Sequence, residues 1–210
     1  MIYRFLKTWL LPIVALIAVG IALVTYESDY LFKVQELNLF LYSKMFFEQQ
    51  MVVSGGLLTW LGTYFTQYFY YPALGTTLLC LWLGLMMWLF KHAFRIADRY
   101  SALLLVPLAL VVITDVDLGY WIYYLKLRGH FFIAPMGFSW AFAMVWAYRV
   151  LPTKWWLRTI WLPISVALSY PFVGIYSLIA ALTMAVMALV ANKSIGRKVI
   201  DAIVAVLSLV

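Results

Sequence analysis

MVVSGGLLTWLGTYFTQYFYYPALGTTLLCLWLGLMMWLF, residues 51–90, runs for forty residues without a charged side chain. One helix crosses ~30 Å of hydrocarbon with about 20 apolar residues. The run is therefore two spanning helices, or one spanning helix and a segment that enters without crossing. Near its middle stands Tyr71-Pro72-Ala73-Leu74-Gly75. Pro72 has no amide hydrogen and its ring clashes with the preceding turn, so a helix is expected to restart there rather than run through. The choice between the two readings fixes the side of the membrane on which every later loop lies.

The rest of the composition agrees with a membrane setting. Hydrophobic residues make up 67 % of the chain and charged ones 11 %, against about 25 % charged in soluble domains. This predicts an all-α, polytopic transmembrane bundle of about six to seven spans, a single integral membrane domain over residues 1–210. The net charge of +7 does not point to nucleic acid, because the lysines and arginines lie between apolar runs as cytoplasmic loop charge does. Cys80 stands alone and can form no internal disulfide. The last apolar run, within Asp201–Val210, is too short to span, and the chain is expected to be the N-terminal part of a longer protein.

Arg4 and Lys7 precede an apolar run from Trp9 to Tyr26. No small-residue cleavage site follows it, so an uncleaved first helix with a cytoplasmic N-terminus is expected. From Tyr30 to Gln50 the polarity is mixed. Leu31, Val34, Leu37 or Asn38, Leu41 and Met45 recur at roughly helical spacing, and Lys33/Glu36 and Lys44/Glu48 are spaced to pair. Amphipathic helices lying on the outer membrane face follow from this.

Basic residues then arbitrate the deciding run. If residues 51–71 do not fully cross, Arg4, Lys7, Lys91, Arg95, Arg99, Arg149, Lys154, Arg158, Lys193, Arg197 and Lys198 fall inside. Only Lys33, Lys44, Lys126 and Arg128 fall outside. A crossing by 51–71 inverts this balance against the positive-inside rule. The preferred reading is a re-entrant or interfacial segment before Pro72. Ser54-Gly55-Gly56, Gly62 and Gln67 suit packing against protein better than contact with lipid. Tyr71-Pro72-Ala-Leu-Gly75 and Tyr170-Pro171-Phe-Val-Gly174 share a pattern, with Pro135-Met-Gly137 a looser copy. Each is expected to open an inward-running helix, the second after a turn between Tyr170 and Pro171.

No charge is placed mid-helix, which argues against a proton-coupled pump. No phosphate-binding glycine loop, Cys/His metal cluster or Ser–His nucleophile context occurs. Two acid-x-acid pairs remain, Glu27-x-Asp29 and Asp115-x-Asp117, each after an outward-going helix. Such carboxylates can bind a hard cation, Mg²⁺ or Mn²⁺, that neutralises a pyrophosphate leaving group. Equally, acidic residues are common at outer helix ends and are merely solvated there. His130 with Arg128 and Lys126 can hold a phosphate or stand as ordinary loop residues. Trp121, Tyr123, Tyr124, Trp155 and Trp156 can line a sugar or lipid groove or form an interfacial belt.

The arrangement of Glu27/Asp29, amphipathic helices and Asp115/Asp117 resembles the N-terminal module of the membrane-embedded GT-C glycosyltransferases. Arg99-Tyr-Ser-Ala-Leu-Leu104 looks like the stretch that opens the third span in several such families. The resemblance covers roughly Trp9 to Thr114 and the Asp115/Asp117 pair. It implies sugar transfer from a polyprenyl-phosphate lipid on the outer face of the bacterial inner membrane. Asp29 and Glu27 would then be catalytic, and Asp29, Asp115 and Asp117 metal ligands. Tyr64-Phe-Thr-Gln-Tyr-Phe-Tyr-Tyr-Pro-Ala-Leu-Gly75 looks like the signature of a family of uncharacterised bacterial multi-pass proteins. Its members often continue into a large soluble C-terminal region, and it implies no activity. A non-catalytic membrane anchor or assembly module is the alternative expectation. A transporter ranks behind both.

Overall fold

The computed structural model describes residues 2–117, 129–151 and 155–191, with side chains for 8–116, 129–151 and 157–190. Among the described residues all regular structure is helical. The helices are α1 (Ile2–Tyr26), α2 (Ser28–Leu37), α3 (Lys44–Met51), α4 (Gly56–Thr66), α5 (Pro72–Phe94), α6 (Leu105–Asp117), α7 (His130–Val150), α8 (Trp155–Val173) and α9 (Ile175–Ala191). Short 3-10 helices at Gln67–Tyr70 and Asp98–Leu104 lead into α5 and α6.

The break expected at Pro72 is present. Tyr71 is extended (φ −110°, ψ 94°), and Pro72 sits in the first turn of α5, where its missing amide hydrogen costs nothing. Upstream, α4 has eleven residues. At 1.5 Å per residue it is about 16 Å long, half of what a crossing needs. Helices α3 and α4 form a hairpin turning at 52–55, with Phe47 edge-on to Trp60 between them. The pair lies at the end of the bundle where α1 finishes and α5 begins, called here the cap end. Val52 and Val53 at its tip are exposed.

Four described stretches are long and apolar enough to cross a membrane: Thr8–Tyr26, Pro72–Phe94, Asp98–Val116 and His130–Val150. Leu157–Val173 and Ile175–Val190 are shorter apolar helices. With them the described residues hold six apolar helices of 16 residues or more, and the α3–α4 pair is too short to add a span. The outer surface is apolar in helical stripes. Leu103, Val106, Leu110 and Ile113 are exposed along α6 and its lead-in, as are Ile160, Ile164 and Leu168 along α8. Exposed apolar area on this scale is stable only against lipid. The protein is a membrane helical bundle.

Helices α5 and α7 form the central contact. Leu83, Met86 and Met87 of α5 meet Phe131, Phe132 and Met136 of α7, with Leu104, Leu108 and Val111 alongside. A second core joins α7, α8 and α9, where Ala180, Ala181, Ala185 and Ala188 let the backbones approach. Two serine hydroxyls inside the bundle bond within their own helices: Ser139 donates to Pro135 O, and Ser169 to Ser165 O. That satisfies them without water.

Three expectations need correction. The α8–α9 turn falls at Gly174 (φ +61°), not between Tyr170 and Pro171. Pro171 lies inside α8 and Pro135 inside α7, so of the three echoed prolines only Pro72 opens a helix. Leu31, Val34 and Asn38 are buried, but α2 stops at Leu37, and Leu41 and Met45 are exposed. The stripe ends where Asn38 turns extended (ψ 107°) to reach a partner on α4.

Candidate functional site

The cap end holds Glu27, Asp29 and Asp115 together with polar and aromatic side chains of α4 and of the segment between α2 and α3. A single side chain locks α2 onto α4. The Asn38 Nδ2 donates to the Thr63 carbonyl at 2.9 Å, and the Asn38 carbonyl accepts from Gln67 Nε2 at 3.2 Å. Asn38 is buried. The lone amide in Leu37-Asn-Leu-Phe-Leu41 was the available sequence signal, since only a fixed partner repays its burial among apolar neighbours. Asn38→Ala is expected to cost about 1–2 kcal/mol, because the buried Thr63 carbonyl loses its side-chain donor while the Gln67 bond to the main chain is kept. Thermal unfolding in detergent checks this, with a fall of roughly 4 °C expected.

Beside this lock lies an aromatic shelf. The Phe40 ring sits 5.1 Å from Tyr42, 5.6 Å from Trp60 and 5.5 Å from Tyr64. Trp60 and Tyr64 are near parallel at 6.2 Å, one turn apart on α4. The Tyr64 and Tyr68 hydroxyls are hydrogen-bonded at 2.8 Å. Hydrogen bonds with Tyr68 and then Tyr42 hold the Tyr64 phenol below the usual tyrosine range and raise those of its two neighbours.

Beneath α4 opens an apolar cavity of about 410 Å³, lined by Leu57, Leu61, Trp82, Leu85, Met136 and Trp140, among others. It lies between α4, α5 and α7. The glycines seat α4 there. A Cβ on Gly62 would stand 2.7 Å from Ile133 Cγ1 and 2.9 Å from the Gly129 carbonyl oxygen.

The four acidic candidates occupy unlike settings. Glu27 is the half-buried residue between α1 and α2. Asp29 is exposed in the first turn of α2, where a carboxylate also complements the helix dipole. Asp115, near the end of α6, is buried at 6 % exposure and lies within electrostatic reach of Tyr176 on α9. Its burial was not legible in sequence. Asp117 ends α6, and its side chain lies outside the described residues. Both acidic segments belong to the cap end, since α1 and α6 run the same way through the bundle. Among the described residues no three His, Cys, Asp or Glu side chains gather as a metal site.

His130 is the first residue of α7, its ring 4.7 Å from Phe131. Lys126, Arg128, Trp121, Tyr123 and Tyr124 lie outside the described residues, as do the side chains of Trp155 and Trp156. So do Lys154, Lys193, Arg197 and Lys198.

No curated protein and no solved structure matches this sequence. A helical membrane bundle with a short helical pair at one end is thus the architecture of a sequence whose family match runs over residues 3–210, and the chain belongs to the family of unknown function DUF6057.

Proposed function

We propose that this protein is a GT-C-like glycosyltransferase module. It would take a sugar from a polyprenyl-phosphate lipid on the outer face of the bacterial inner membrane. One observation carries the reading. An exposed carboxylate, Asp29, and an aromatic shelf share the cap end with an apolar cavity of about 410 Å³ beneath α4. An isoprenyl chain suits the cavity, and a sugar face suits the shelf. Asp29 takes the proton of the acceptor hydroxyl as its oxygen attacks the anomeric carbon, and the lipid phosphate leaves. Glu27 supports Asp29. Asp115 and Asp117 would complete a site for Mg²⁺ or Mn²⁺, whose chemistry is to neutralise the leaving phosphate. The described carboxylates do not by themselves assemble such a site, and the step above is written without the ion.

Transfer of a radiolabelled sugar from polyprenyl-phosphate donors tests this, in membranes holding the full-length protein. Asp29→Asn is expected to lower turnover at least about 100-fold, as loss of a group acting in the transition state does. Unchanged transfer in both Asp29→Asn and Asp115→Asn disposes of the site. The second reading, a non-catalytic anchor or assembly module, is favoured by the acidic residues standing in unlike settings. Absence of transfer by the wild type with every donor would select it. A transporter has less support.

The proposed orientation keeps the N-terminus cytoplasmic and the cap end outside. In a Cys80→Ala background, Tyr42→Cys is expected to react with an impermeant thiol reagent in intact cells. Arg95→Cys is expected to react only after permeabilisation. Labelling of position 95 from outside would invert the assignment.

A further inference from the structure

At the end of the bundle opposite the cap, three arginines from three helices meet over one cavity of about 420 Å³. Arg95 caps the C-terminus of α5 in a left-handed conformation (φ 51°), Arg149 lies in the last turn of α7, and Arg158 in the first turn of α8. Arg149 is subject to repulsion from both others. Among the described residues the ion pairs are Lys33–Glu36, Lys44–Glu48 and Lys91–Asp98, none of which includes them.

Two of the guanidiniums are held by uncharged partners, and none of the three is ion-paired among the described residues. Arg149 Nη1 donates to the Ala93 carbonyl at 2.8 Å. Arg158 lies 5.7 Å over the Tyr148 ring, with Nη2 3.4 Å from the Leu151 carbonyl. Its buried Nε has no hydrogen-bond partner. A cation in the first turn of a helix also opposes the helix dipole. Three like charges in this arrangement are mutually unfavourable until an anion joins them. The rest of the lining includes Val186, Met187 and Val190 of α9. Val186 and Val190 are exposed on the lipid-facing stripe that begins at Leu182. The cavity thus has a cationic floor and a wall continuous with the acyl region.

We propose that Arg95, Arg149 and Arg158 bind the phosphate of an anionic phospholipid, with one acyl chain lying along Val186 and Val190. Planar guanidinium forks suit phosphate oxygens, and basic pockets between helix ends are suited to such headgroups. The site is independent of the cap-end chemistry.

The test uses purified full-length protein in detergent, titrated with phosphatidylglycerol, phosphatidylcholine or inorganic phosphate while thermal unfolding is followed. Phosphatidylglycerol is expected to raise the unfolding temperature of the wild type, with no comparable rise from phosphatidylcholine. Arg95→Gln/Arg158→Gln spares the Arg149–Ala93 bond. It is expected to lose at least about tenfold in apparent phosphatidylglycerol affinity, since charge-assisted contacts are removed. Its lipid-free unfolding temperature is expected to equal or exceed that of the wild type, because repulsion is relieved. A merely structural role predicts a lower lipid-free value, and that result would overturn the proposal. Equal phosphatidylglycerol response in variant and wild type would overturn it too. Inorganic phosphate matching phosphatidylglycerol would overturn the lipid assignment.

Discussion

Gly129→Val is expected to unseat the α3–α4 pair from α7 and to lower stability by about 3 kcal/mol or more. Two costs act together. Gly129 has φ +68°, a conformation that a β-branched residue holds at a cost of about 1–3 kcal/mol. A Cβ there would also stand 2.5 Å from Gly62 C and 2.6 Å from Thr63 N, both backbone atoms of α4. Backbone cannot swing aside as a side chain can, so overpacking adds about 1–3 kcal/mol more. Thermal unfolding in detergent is expected to fall by roughly 10 °C. Gly84→Ala is the control, since the nearest atom to its Cβ is Leu16 Cδ1 at 3.5 Å, ordinary contact. An unfolding temperature for Gly129→Val within a degree or two of that control would refute the close α4–α7 seat.

Phe69→Ala carries the second large effect. Phe69 is fully buried, with ring centroids 5.4 Å from both Phe131 and Phe132. It also fills the space left by Gly75, where an added Cβ would collide with the ring. Within a bilayer, apolar groups gain little by leaving lipid for protein, so close packing itself holds the helices together. Removing the ring leaves a cavity at the joint between the 3-10 turn, α5 and α7. A cost of about 3–5 kcal/mol is expected, with Phe69→Leu costing less because it refills part of the volume. Equilibrium unfolding of the two variants in mixed micelles measures the difference. Equal stability of Phe69→Ala and wild type would show that the joint is not tightly packed.

The break at Pro72 was legible because proline acts locally: it cannot donate to the preceding turn whatever surrounds it. The short reach of α4 was legible through basic residues elsewhere, since Lys91, Arg95 and Arg99 needed a single crossing between α2 and themselves. Pro171 misled for the converse reason. A membrane helix tolerates proline where neighbours and lipid leave it no better exit, and Gly174, which alone has the left-handed freedom, made the turn three residues later. Of the candidate site, the cap-end placement of Asp29 and Asp115 could be read from chain alternation. Their contrasting burial could not. Asp115 lies within electrostatic reach of Tyr176, which is distant in sequence, and no local pattern encodes that placement. The arginine cluster was visible only as loop charge, because its convergence depends on three helix ends.

The tip of the α3–α4 pair rests on the tip of the α8–α9 hairpin: Gly55 N donates to the Pro171 carbonyl at 3.0 Å, and the two glycine turns lie backbone to backbone. That contact orders events during synthesis. Helix α4 leaves the ribosome before α5, α6, α7 and α8 exist, so its resting place is absent while it enters the membrane. Until the hairpin arrives, the Gly55–Pro171 bond and the contact of the two glycine turns cannot form, and α4 has only α3, the Asn38 lock, α5 and α7 against it. The last helices of this bundle therefore complete the seat of a segment translated long before them.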